Sequence, residues 1–289
     1  MPMQEFTILP SIQLAMTRQY PPKPYTNLAD LTTAIHTKSD QVYTEGISQY
    51  LSFNHISPET FHYIGEHRSE LGRKVRFAYY PDIATLIIKV LTREEEIAQR
   101  NIGEEITLQC RGMGITFDEY LAIGATKYVG PTGSENEADS SWINPTLRPD
   151  GWPLLVLEAG LSESMPLVRQ APAWWISNSG GQVRIVLLII ITRATGRVVL
   201  EKYIPKQMVY PRTRARAGLP EVGYVPELVS TTTVNHGIRP PSVNGDRLVL
   251  EFDRVIGRAP VLPEGDIECT SAMLVDATRY VFRGEDTRT

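Results

Sequence analysis

Two acidic residues are placed where they could hold a divalent metal. Glu158 closes an apolar run, Leu154-Leu155-Val156-Leu157, that reads as a buried strand. Asp139 lies in the preceding segment, Glu137-Ala138-Asp139-Ser140-Ser141-Trp142. An acid at the end of a buried strand needs a partner, because an unpaired buried charge costs several kcal/mol. Mg2+ takes one or two carboxylates plus waters, and a bound divalent ion neutralises a phosphate and lowers the pKa of a water. Glu105, beside the apolar stripe of a helix expected over 93–112, is a third candidate ligand. Each acid also has a plainer reading. Glu158 could pair with Arg169 or Lys127, Asp139 could cap a turn, and Glu105 could be solvated.

The elements that must position these acids are legible in outline. Residues 183–191, Val-Arg-Ile-Val-Leu-Leu-Ile-Ile-Ile, predict a central strand buried on both faces. Residues 193–196 predict a hairpin turn into an antiparallel edge partner over 197–204. Strands are also expected near 73–80 and 84–91, and Ser57-Pro58 marks a helix start. Thr92 caps the helix over 93–112. A helix over 164–177 should be kinked or broken by Pro172, and glycines 180 and 181 end it. Residues 205–240 read mostly as loop, 246–255 as a strand and 267–281 as a final helix.

Composition narrows the classes. The chain has 289 residues, 42% apolar and 21% charged, which is a soluble globular balance. A net charge of -4 rules out nucleic-acid binding through bulk charge, so any such contact needs a local basic patch. Two cysteines make no disulfide framework, and none of the five histidines pair at i, i+4 as zinc ligands do. The first residues show no signal-peptide pattern, and the run at 183–191 is short of the roughly 20 residues that span a bilayer. The expectation is an intracellular protein, cytoplasmic or nuclear, with no membrane partner. Its oligomeric state is not readable.

Three segments carry a resemblance: EADSSW (137–142), WPLLVLEAGLSESMPLVRQAPAWW (152–175) and GGQVRIVLLIIIT (180–192). They resemble a broad group of uncharacterised fungal proteins that are themselves similar to the PD-(D/E)XK restriction-endonuclease-like superfamily. The tail over 245–282 also resembles such proteins. The resemblance implies an α/β (α+β) fold, with a mixed sheet of restriction-endonuclease type flanked by helices. It implies a core over 71–205, a helical N-terminal extension over 1–70 and a C-terminal extension over 206–289 packed on the core. Asp139 matches the family's first metal-binding acid and Glu158 the second, with Mg2+ as cofactor. The family's proline before the first acid is Ala138 here, and its lysine two positions after Glu158 is Gly160. Many of the fungal relatives carry an aspartate at the position of Ala171. Arg169, Gln170 and Lys127 are the candidate replacements for the lysine, with Arg169 expected to face Glu158.

Two further motifs compete or add. Gly160-Leu161-Ser162-Glu163-Ser164 is similar to a nucleophile elbow, with His236 the available downstream base. Lys202, Lys206, Arg212, Arg214 and Arg216, interleaved with Tyr203 and Tyr210, could track a nucleic-acid backbone. Three readings stay open. The first is a nuclease-like, metal-dependent phosphodiester hydrolase built on Asp139 and Glu158, its activity in question because Gly160 replaces the lysine. The second is a nuclease-like binding or interaction module without catalysis. The third is a serine hydrolase using Ser162.

Overall fold

The computed structural model describes residues 6–213, 217–218 and 220–282. The N-terminal elements are α1 (Ser11–Leu14), β1 (Lys23–Pro24), α2 (Leu28–Thr44), β2 (Tyr50–Asn54), α3 (Pro58–Glu66), β3 (Val75–Tyr80) and β4 (Thr85–Val90). Next come α4 (Arg93–Gly112), β5 (Leu121–Ala122), β6 (Lys127–Val129), β7 (Glu135–Glu137), β8 (Ser140–Ile143), β9 (Leu155–Leu161), α5 (Met165–Val168) and α6 (Ala171–Asn178). The chain continues with β10 (Ile185–Thr192), β11 (Arg197–Val209), β12 (Val222–Asn235), β13 (Ser242–Gly245) and β14 (Leu248–Leu250). It closes with α7 (Phe252–Ile256), β15 (Ile267–Cys269) and α8 (Ser271–Thr278).

The fold is mixed α/β, with mixed sheets flanked by helices. A seven-stranded sheet runs in the order β13-β12-β11-β10-β9-β8-β5, and a six-stranded sheet runs β1-β2-β4-β3-β7-β6. As expected, β10 is central, parallel to β9 and antiparallel to β11. Its residues alternate between two cores. Ile185, Leu187, Ile189 and Ile191 face α4 and the C-terminal elements, whereas Val186, Leu188 and Ile190 face the α6 side. Burial on both faces explains why the run lacks a polar alternation. Gly196, at φ 61, completes the β10–β11 turn.

The six-stranded sheet has one face on α2 and α3, where Phe53, Phe77, Tyr79, Leu86 and Ile88 are buried. Its other face meets the seven-stranded sheet. The chain crosses between the sheets within a few residues, because β7 belongs to one and β8 to the other. Asp139 sits in that crossing. Residues 1–70 contribute β1 and β2 as well as helices, and β2 pairs with β4.

Several elements differ from the sequence expectation. Residues 205–240 are largely a two-stranded ribbon, since β11 runs on to Val209 and pairs with β12. Pro205 opposes Pro226 there; a ribbon tolerates the lost donors where outer edges face solvent. β11 is therefore an interior strand, because β12 and β13 follow it. Pro172 sits in the first turn of α6, so the helix over 164–177 is split into α5 and α6. Thr270, whose side chain accepts from Met273 N, begins α8 and ends β15, dividing the single helix expected over 267–281. The strand expected over 246–255 shortens to β14 and turns into α7.

Ile189 is fully buried at the centre of β10. Ile189→Asp should abolish folding by burying an unpaired charge. A soluble variant with a cooperative melt, followed by circular dichroism, would contradict this core.

Candidate functional site

The site begins where two strands part. β8 pairs with β9 through Trp142–Leu155, Ser141–Val156 and Ser140–Leu157, and then leaves for the other sheet. Beyond that fork, the amides of Ala159 and Leu161 and the carbonyl of Ala159 have lost their strand partner. Buried backbone groups must be satisfied, and side chains do it. Asp139 Oδ2 accepts from Ala159 N at 2.8 Å. Gln49 Oε1 accepts from Leu161 N at 3.0 Å. Lys89 Nζ donates to Ala159 O at 2.5 Å.

Two rows of side chains face each other across this fork. Lys89 on β4 lies opposite Tyr50 on β2 and Arg76 on β3, so all three share one face of the six-stranded sheet. Extending the β8–β9 register by one pair places Asp139 opposite Glu158. Asp139 thus lies just before β8, the neighbour of the strand that carries Glu158. Lys89 Nζ also donates to Asp139 Oδ2 at 2.5 Å and lies 3.5 Å from Glu95 Oε1. Asp139 Oδ1 is buried without a hydrogen-bond partner, with Arg76 Nε at 3.6 Å. Arg76 Nε instead donates to Ala138 O at 3.1 Å.

Glu95 comes from the first turn of α4, where its carboxylate closes a capping box with Thr92. Gln49 Nε2 donates to both Glu95 oxygens, at 2.7 and 2.9 Å. Glu158 Oε1 accepts from Trp175 Nε1 at 2.7 Å. Trp175 packs edge-on against Trp174 and Trp152 and roofs the acid with indole.

Burial works against the charge on Lys89. Asp139, then Glu95, outweigh it and hold the ammonium above its ordinary range. Burial, followed by the Asp139 charge, pushes the Glu158 carboxyl up to about 8. Burial likewise raises Glu95, and Lys89 opposes the rise. Lys89 and Arg76 thus sit among Asp139, Glu95 and Glu158, and burial favours the protonated form of Glu158.

The remaining candidates fall in different places. Gln170 lines the same narrow pocket as Lys89, Arg76 and Glu158, which has about 60 Å³ of space, room for a few waters. Arg169 does not face Glu158; its guanidinium pairs with buried Glu201, at 3.1 Å from Nε and 2.5 Å from Nη2. Lys127 pairs with Glu135 at 2.8 Å and is half exposed. Glu105 faces a surface depression beside α8 with Asn101 and Tyr280. Its helix covers the face of β9 that bears Leu155, Leu157 and Ala159, opposite Glu158. Among the described residues, no group of three His, Cys, Asp or Glu side chains is set to hold a metal. Any ion at Asp139 and Glu158 would therefore complete its shell with waters or substrate.

Ser162 donates to Glu163, while His236 bonds Thr278 at 2.8 Å, so His236 is not the partner of Ser162 that a nucleophile elbow requires. In the basic stretch, Lys202 is buried on Glu251, Lys206 pairs with Glu227 and Arg212 with Glu221. Arg214 and Arg216 lie outside the described residues. No helix among the described residues is long and apolar enough to cross a membrane. No family model matches the chain, and no curated protein matches it significantly.

Gly160 has a local cause. A Cβ there would lie 2.3 Å from Val168 Cγ2, so no side chain fits against α5. The ammonium beside the acids comes from Lys89 on another strand. Its sequence signal was a lone lysine in an apolar strand, Ala84-Thr85-Leu86-Ile87-Ile88-Lys89-Val90, every residue of β4 being buried.

Between about pH 4.5 and 8 the folded chain keeps a Glu158 proton that the unfolded chain releases. Its contribution is full at low pH and is lost as pH rises, by about 1.4 kcal/mol per unit across that window. Urea denaturation of the wild type and of Glu158→Gln should diverge accordingly, the wild type losing ground toward pH 8. Parallel stability curves would show that Glu158 titrates normally.

Proposed function

We propose that the protein is a nuclease-like, metal-dependent phosphodiester hydrolase acting on nucleic acid, with Asp139 and Glu158 as the metal-binding acids and Lys89 in the place of the family's lysine. The observation that carries the reading is the position of Lys89. Its ammonium touches both the first acid and the carbonyl of the residue that follows the second.

The donor set fits a hard cation. Asp139 Oδ1 is a buried oxygen in need of a partner, and Glu158 lines the pocket. When bound, Mg2+ would neutralise phosphate charge and supply an acidified water. Lys89 supplies a fixed positive charge toward the reacting phosphate, already desolvated and oriented by Asp139 and Ala159 O. Arg76 adds a second cation on the same face. Trp175 fixes one Glu158 oxygen by donating to Oε1. Gln170 offers a neutral hydrogen-bonding group in the pocket lining.

The non-catalytic alternative rests on the same contact. Lys89 already neutralises Asp139, so the cluster could serve only as a tie between the sheets, with the protein acting by binding.

Calorimetry with Mg2+ and Mn2+ separates the two. Metal uptake at pH 7 should release close to one proton, because Glu158, at about 8, must ionise. Affinity should fall about tenfold per pH unit below that value. Glu158→Gln should abolish both uptake and any metal-dependent cleavage of an oligonucleotide. Lack of metal uptake by the wild type would remove the hydrolase reading.

A further inference from the structure

A second cleft, of about 330 Å³, adjoins the reactive pocket and shares Tyr50, Ile87 and Leu167 with it. Two lysines line it, Lys23 on β1 and Lys38 on α2. Among the described residues neither makes an ion pair, unlike Lys202, Lys206 and Arg212, each of which is matched to an acid. Burial, and then the Lys23 charge, depress the Lys38 ammonium, and Glu45 offsets this only in part. Two like charges are thus held at one cleft with no counter-charge bound to them. Ser52 Oγ, buried and without a hydrogen-bond partner, lines the same cleft.

The charge pattern selects the ligand class. An anion would relieve the repulsion between the lysines, and a hydroxyl without a partner can donate to an oxyanion. Continuity with the pocket of Lys89 and Glu158 favours an anion that repeats along a chain, because one phosphate would lie at each place. We propose that Lys23 and Lys38 form a phosphate subsite that holds the backbone of a nucleic-acid strand beside the reactive pocket. This rests on the nuclease-like reading for its substrate class, although the subsite does not require cleavage.

The test is fluorescence anisotropy with a short labelled single-stranded oligodeoxynucleotide in EDTA, so that neither metal nor cleavage contributes. The wild type should bind with a salt dependence. Lys23→Gln combined with Lys38→Gln should weaken binding about tenfold and reduce the slope of log K against log salt by about 1.4, for two phosphate contacts on a single strand. Lys74→Gln, which removes a lysine already paired with Glu96, should change neither quantity. An unchanged slope in the double variant would overturn the subsite. Binding of inorganic phosphate through these lysines with no binding of the oligonucleotide would overturn the nucleic-acid assignment. If the wild type takes up no metal yet the double variant loses its strand binding, the hydrolase reading fails and the subsite stands.

Discussion

The structure depends on how the polar groups exposed by one strand fork are satisfied. β9 is hydrogen-bonded on both sides only until β8 leaves it after Ser140. From Ala159 onward its inner amides and a carbonyl point at the second sheet. Leaving them bare would cost several times what a single hydrogen bond contributes. Lys89, Asp139 and Gln49 meet them, each sent from outside β9. The sheets are therefore joined by charged and amide side chains at the point where they meet. The apolar cores lie to either side, one under α4 and one under α6.

That joint also sets the chemistry. A buried ammonium is costly unless carboxylates surround it, and Asp139 and Glu95 do so. Burial and the Asp139 charge raise the Glu158 carboxyl, although its Oε1 accepts from the Trp175 indole.

Local patterns were legible in the sequence where local physics decides them. The unbroken β-branched run of β10, the Thr92 capping box of α4 and the Ser57-Pro58 start of α3 follow from propensity and capping. Asp139 and Glu158 stand out as acids beside buried strands. The partner of those acids was not legible, because Lys89 arrives from a strand of the other sheet and no spacing rule links it to Glu158. Gln49 and Glu95 were hidden for the same reason: one sits in a loop before β2, and the other looks like an ordinary capping acid. Arg169 was near in sequence and suitable in type, yet Glu201 on β11 captures it. The β11–β12 ribbon buries Ser230 and Thr232 at positions where an apolar alternation would mark a half-buried strand, so its pattern is masked.

The central claim is that Lys89 and Asp139 act as one coupled unit across the two sheets. A double-mutant cycle with Lys89→Met and Asp139→Asn, read by urea unfolding at pH 7, tests it most directly. Each single change should cost about 3–5 kcal/mol by stranding the other charge. The double variant should cost much less than the sum, with a coupling energy of at least about 2 kcal/mol. Additivity to within about 0.5 kcal/mol would contradict the account, since it would mean the two side chains stabilise the fold independently.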